Sequence, residues 1–168
     1  MINKALTVGV LALVTAVATG AQGPAAPSAT TETQRKFVGH WRLLKFENFD
    51  EKGVARLAGY DGGRIIYDDA GNMSAQLMRS ERKLMAQLST EAERAAAYAT
   101  YTAYYGKYTI DSSAARVTHH VEGSVNPNWV KTDLVRYYAF SNSDNTMTLS
   151  IKNAEGRITG TLTWERLR

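Results

Sequence analysis

The sequence predicts a single, mainly β domain, an antiparallel meander with one inserted α-helix, preceded by an export signal. Three observations carry this reading. An uncharged, mostly apolar stretch follows Lys4 and gives way to small residues. Clusters of turn-forming residues recur through the rest of the chain at the spacing of short strands. The runs between them are rich in β-branched and aromatic residues, and several alternate apolar and polar with period two. A length of 168 residues with 44% hydrophobic content suits one globular core.

The N-terminal segment comes first. Lys4 supplies a positive start, and residues 5–17 form the apolar stretch. Ala16-Val17-Ala18 and Thr19-Gly20-Ala21 both fit a small-x-small cleavage site, so the mature chain is expected to begin at Thr19 or Gln22. A membrane anchor is the competing reading, but the run is short for a bilayer span. No stable span is expected once it is removed. Residues 22–33 are rich in Ala, Pro, Ser and Thr and bury too little to order themselves. The expected division is therefore a signal peptide at 1–21, a flexible leader at 22–34 and a folded domain at 35–168, exported to the periplasm or the medium. The chain has no cysteine, which removes both disulfide support and the usual site of lipid acylation.

Charge narrows the partners. Twenty Lys and Arg stand against 16 Asp and Glu, a formal net charge of +4. The excess is scattered, with Arg79, Arg82 and Lys83 the one tight group. Nucleic-acid binders concentrate positive charge on one face, so nucleic acid is not an expected partner.

Five segments read as hairpin connections: Asp50-Glu51-Lys52-Gly53, Asp68-Asp69-Ala70-Gly71-Asn72, Asp111-Ser112-Ser113, Asn142-Ser143-Asp144-Asn145 and Asn153-Ala154-Glu155-Gly156. Met147, Leu149 and Ile151 share one strand face, opposite Thr146, Thr148, Ser150 and Lys152. In the last run Ile158, Leu162, Trp164 and Arg166 oppose Thr159, Thr161, Thr163 and Glu165. Each such strand buries one face. A meander of this kind closes into a barrel or packs as a sandwich.

One segment departs from this pattern. Thr90 with Glu93 three residues on fits a capping box, and residues 91–105 run on without Gly or Pro until Gly106. A helix is expected there, with Tyr98, Tyr101 and Tyr105 on one stripe.

Specific residues then carry a family likeness. Gly39-His40-Trp41 at the first strand resembles the G-x-W signature of lipocalins, and Thr132-Asp133-Leu134-Val135-Arg136-Tyr137 resembles their T-D-Y-x-x-Y loop, with Leu134 replacing the first Tyr. A bacterial and fungal lipocalin-like domain family is a closer match. Its members have runs similar to Gly63-Arg64-Ile65-Ile66-Tyr67, Tyr104-Tyr105-Gly106-Lys107-Tyr108, Val117-Thr118-His119-His120-Val121-Glu122, Asn126-Pro127-Asn128-Trp129 and Arg136-Tyr137-Tyr138. The likeness spans residues 37–167. It implies a closed, up-and-down antiparallel lipocalin-like β-barrel of about eight strands, a size that holds about one small ligand. It also implies that Trp41, beside Gly39, plugs the closed end, with Arg166 stacked on the indole as a cation–π pair. Two departures from ordinary lipocalins are the lack of a disulfide and a helix placed mid-chain.

The chemistry is sparse. Adjacent His119 and His120 point to opposite faces of a strand and cannot chelate one metal, and His40 is the only other histidine. No metal or cofactor is expected. Gly123-Ser124-Val125 lacks the context of a nucleophile elbow, and Asp68-Asp69 sits in turn chemistry. No catalytic residue is assigned. The chain has nine tyrosines, with Tyr98, Tyr101, Tyr104, Tyr105 and Tyr108 clustered, and they serve either as packing between helix and barrel or as a pocket wall. Candidate ligand contacts are Tyr98, Tyr101, Tyr105, Tyr108, His119, His120, Trp129, Arg136 and Tyr138. Arg136 lies in a run apolar on both parities, so its facing stays open; turned inward, it would suit an anionic ligand group.

The expected function is binding of a small apolar or aromatic molecule in the lumen, without covalent chemistry. The alternative is an isomerase or cyclase in which lumen His and Tyr shuttle protons. A structural envelope protein, its barrel filled by its own side chains, is a third reading.

Overall fold

The computed structural model describes residues 31–168, and the signal peptide lies outside them. Eleven α and β elements follow in order: α1 (Glu32–Phe37), β1 (Gly39–Phe49), β2 (Ala55–Leu57), β3 (Gly62–Tyr67), β4 (Asn72–Met78), α2 (Glu91–Ala99), β5 (Tyr101–Asp111), β6 (Arg116–Ser124), β7 (Asp133–Ser141), β8 (Thr146–Lys152) and β9 (Ile158–Arg166). A 3₁₀ turn, Pro127–Trp129, precedes β7. All pairings are antiparallel; β1 pairs with both β2 and β3, each later strand pairs with the next in the chain, and β1 also pairs with β9. That pairing closes an eight-stranded barrel, with β2 an extra strand hairpinned onto the end of β1. All five turn segments read from the sequence join consecutive strands.

Closure requires strong bending, and the ladder shows where it occurs. Between β1 and β9 the register shifts at Leu43/Lys45, which leaves Leu44 outside the ladder and exposed. Between β5 and β6 it shifts at Tyr105/Gly106. A side chain at Gly106 would put its Cβ 2.0 Å from the His120 carbonyl oxygen, so only glycine permits the backbones to approach this closely. On the outer face beside this bulge the Tyr105 ring covers bare Gly123.

The barrel has a packed end and an open one. At the packed end, Thr31 caps α1 by accepting from the Gln34 N–H. Phe37 from that helix is fully buried among the rings of Tyr67, Tyr138 and Phe140, with centroids 5.0–5.2 Å away. Helix α1 thus begins inside the segment expected to be flexible leader. Phe37, just past that segment, supplies the burial that anchors α1. Trp41 is also fully buried and its Nε1–H donates to the Phe37 carbonyl at 2.9 Å.

The inserted helix is shorter than the spacing predicts. Both halves of the Thr90–Glu93 capping box are present, but α2 ends at Ala99 with Thr100 as its C-cap, and Tyr101 already belongs to β5. The reason lies in residues 101–111, where Tyr104, Gly106 and Tyr108 all turn inward with period two. Burying that face in a ladder with β4 and β6 outweighs the helical preference of the segment. The tyrosine stripe does not form. Helix α2 buries none of its residues, and the preceding connection leaves Leu84 98% exposed. No helix among the described residues is long and apolar enough to cross a membrane.

Candidate functional site

Strand parity places the inward side chains. On β6, Val117, His119 and Val121 point in, and His120 points out. On β7 the burial alternation puts Leu134, Arg136, Tyr138 and Phe140 inside, which settles the facing of Arg136. The open half of the lumen holds a cavity of about 260 Å³. Its wall is mainly apolar, built from Phe46, Tyr60, Ile65, Ala75, Leu77, Leu149, Ile151, Leu162 and Trp164, with Trp129 of the 3₁₀ turn at the side. Thr102, Tyr104 and Arg136 supply the polar contribution. Phe46 and Tyr60 stack at 6.2 Å, and Trp129 meets Tyr104 edge-on at 5.8 Å.

Below the cavity lies a buried polar chain. His119 is fully buried, with Nε2 2.8 Å from the Tyr67 hydroxyl and Nδ1 3.0 Å from the Tyr104 hydroxyl. Burial depresses the His119 pKa well below the ordinary histidine value, and the positive Arg136 pushes it further the same way. The ring is therefore neutral, with one donor and one acceptor nitrogen. One tyrosine donates its O–H to the ring, and the other receives the ring N–H. Burial also raises both phenols, Tyr67 strongly, and Arg136 opposes the rise in each. Of the three groups, only Tyr104 reaches the cavity wall.

The nine candidate contacts therefore separate. Trp129 and Arg136 line the cavity, and His119 backs it through Tyr104. Tyr108 and Tyr138 turn inward at the packed end, where Tyr108 donates to the Asp68 carbonyl at 2.7 Å and Tyr138 packs on Phe37 and Phe140. His120 lies outside, 2.7 Å from an Asp133 carboxylate oxygen and 2.9 Å from the Thr109 hydroxyl. Tyr98 is exposed on α2, Tyr101 sits under the Arg82 guanidinium at 5.4 Å, and Tyr105 lies on the outer face. Those four are outside the lumen because the helix stops before Tyr101 and because alternate residues of a strand face opposite ways. Sequence reasoning placed Tyr104 in the tyrosine cluster without making it a candidate contact, and it missed Tyr67, Phe46, Tyr60 and Trp164. Period-two parity through Tyr104, Gly106 and Tyr108 was the available signal for Tyr104, and the apolar face of the last run was the signal for Trp164.

The family comparison agrees with this architecture. A family model described as a lipocalin-like domain matches residues 38–167. No curated protein is significantly similar in sequence to the chain. Among solved structures it is similar to a redesigned β-barrel at 10% identity and a TM-score of 0.41, covering 80% of this chain and 94% of that one.

Proposed function

This chain belongs to the lipocalin-like domain family, and on that footing we propose that it is an exported binder of a compact apolar or aromatic molecule held in the open half of its barrel. The cavity of about 260 Å³ carries the proposal. Its volume lies just under the ~300–1,000 Å³ of typical ligand pockets, and its wall is mostly apolar with few polar groups, as such sites require. Export rests on Lys4, the apolar stretch at 5–17 and the small-x-small sites. N-terminal sequencing of the exported protein should find Thr19 or Gln22 first. A chain retaining Met1 in the membrane fraction would refute export.

Mass spectrometry of small molecules retained by protein from its native host tests the binding itself. Ala75→Phe, which would push a ring into the cavity, should abolish retention while the protein stays folded. Equal retention by both proteins would move the site elsewhere, and a barrel that retains nothing would be structural.

A second reading has one specific observation in its favour. Tyr104 joins a cavity-wall hydroxyl to buried His119 and Tyr67, a chain through which a proton could move to or from a bound molecule. In an isomerase or cyclase of this design, Tyr104→Phe would abolish turnover of a retained compound yet leave its binding nearly intact. Recovery of the retained compound unchanged after prolonged incubation would favour the carrier.

A further inference from the structure

We infer that the lumen ligand is a compact carboxylate, its anionic group held by Arg136 with Tyr104 and Trp164 beside it; this rests on the lumen-binding reading above.

Three observations converge on it. The first is an unmatched cation. Arg136 points into the barrel between Leu134 and Tyr138 on β7 and forms part of an otherwise mainly apolar wall. One of its N–H groups donates to the Val135 carbonyl at 2.8 Å. Among the described residues no Asp or Glu makes an ion pair with it, although six other pairs form across the surface, one of them through His120. Arg136 is half-buried, and a guanidinium taken partly out of water costs free energy unless an anion meets it.

The second observation is that, among the described residues, no Asp or Glu lines the cavity to balance that charge. The titratable neighbours that feel Arg136 are Tyr67, Tyr104 and His119, all neutral at pH 7. Among the described residues Arg136 is thus the one formally charged side chain on the cavity wall, and its sign is positive.

The third is an orphan donor. Trp164 is 1% exposed and is one of the side chains around the same cavity, and its Nε1–H is buried with no acceptor among the described residues. Buried polar groups are nearly always paired, and an unpaired one costs ~1–3 kcal/mol. Around this cavity stand a guanidinium and an unpartnered indole N–H, together with the hydroxyls of Tyr60, Thr102 and Tyr104, which can donate as well as accept. The complement is an oxyanion with several lone pairs. A carboxylate matches the planar, two-pronged geometry of arginine, and the apolar remainder of the cavity would take a ring or short chain. This distinguishes the site from one for a neutral hydrocarbon or a cation.

A matched series tests the assignment: 2-naphthoate, 2-naphthalenemethanol and 2-naphthylmethylammonium, titrated calorimetrically into the mature protein. The rings are alike, so the ratio of affinities isolates the head group. The acid should bind about tenfold or more tighter than the alcohol, the scale of a charge-assisted hydrogen bond, and the ammonium should bind most weakly. Arg136→Gln should bring the acid-to-alcohol ratio close to one. Arg136→Lys, which keeps the charge without the fork, should keep part of it and serves if the Gln variant does not fold. Trp164→Phe should lower the same ratio by about fivefold, near one neutral hydrogen bond. Equal binding of acid and alcohol by the parent protein, or a ratio that survives Arg136→Gln, would overturn the carboxylate assignment while leaving lumen binding intact. Failure of all three probes to bind would sink the lumen-binding reading and this inference with it.

Discussion

The Arg166 guanidinium carbon lies 4.1 Å from the centre of the Trp41 ring, and the same side chain donates to the carbonyls of Lys36, Val38 and Asp144. One residue near the end of the chain thus holds α1, the start of β1 and the β7–β8 turn against the plug of the barrel. Gly39 makes room for it. Its φ is +130°, and a Cβ there would come within 3.0 Å of the guanidinium.

From this contact we expect Trp41→Ala to cost about 3–5 kcal/mol, the range for emptying a buried aromatic site, and Arg166→Ala to cost less. The two losses should be non-additive in a double-mutant cycle read by chemical denaturation, because each change removes the other's partner. Strictly additive losses would mean that the stacking contributes nothing to stability.

His119 should make stability pH-dependent. Its folded pKa is depressed by burial and by Arg136, whereas the unfolded chain titrates near ~6.5. Below that value the unfolded state binds a proton that the folded state resists, so stability is full above about pH 6.5 and falls as pH drops toward the depressed folded value. Denaturation midpoints between pH 8 and pH 5.5, above most carboxylate titration, should show the decline in the parent protein. His119→Gln should flatten it, and an unchanged slope in that variant would assign the effect elsewhere.

Gly106 should be among the least replaceable residues of the barrel. Gly106→Ala sets a methyl against the His120 carbonyl, which is backbone in a central ladder and cannot swing aside. The variant should fail to fold or lose more than about 4 kcal/mol. Gly156→Ala makes a useful contrast, since its Cβ meets nothing within 4 Å and only the φ of +80° opposes it. Comparable melting temperatures for the two variants would show that β5 and β6 can separate at little cost.

Tyrosines 98 and 105 should behave as surface residues of different kinds. Tyr98→Ala should change stability by no more than about 0.5 kcal/mol, the usual range for exposed sites. Tyr105→Ala uncovers Gly123 and should cost more, because the ring shields a strand position with no side chain of its own. Neither should alter affinity for a lumen probe. A loss of affinity in Tyr98→Ala would place α2 at the binding site.

How much of this was readable in advance depends on the range of the interaction involved. Five hairpins followed from Asn, Asp, Gly and Ser clusters, because turn chemistry acts over four or five residues. The capping box of Thr90 and Glu93 was legible for the same reason. The end of α2 was not, because residues 101–105 are compatible with a helix and become a strand only when β4 and β6 flank them. The site divided the same way. His119 and His120 had to face opposite sides, but parity alone could not say which faced in. Val135-Arg136-Tyr137-Tyr138 is apolar on both sides and gave no parity signal at all.

By itself, then, the sequence determined the meander, its turns and the residues of the family likeness, since all of these are written in local propensity and period-two patterning. Only the tertiary structure decided which face of each strand became lumen, which tyrosines met His119 and where a cation was left without a partner. Those are relations between strands distant in the chain, set when β1 pairs with β9 and the sheet closes on itself.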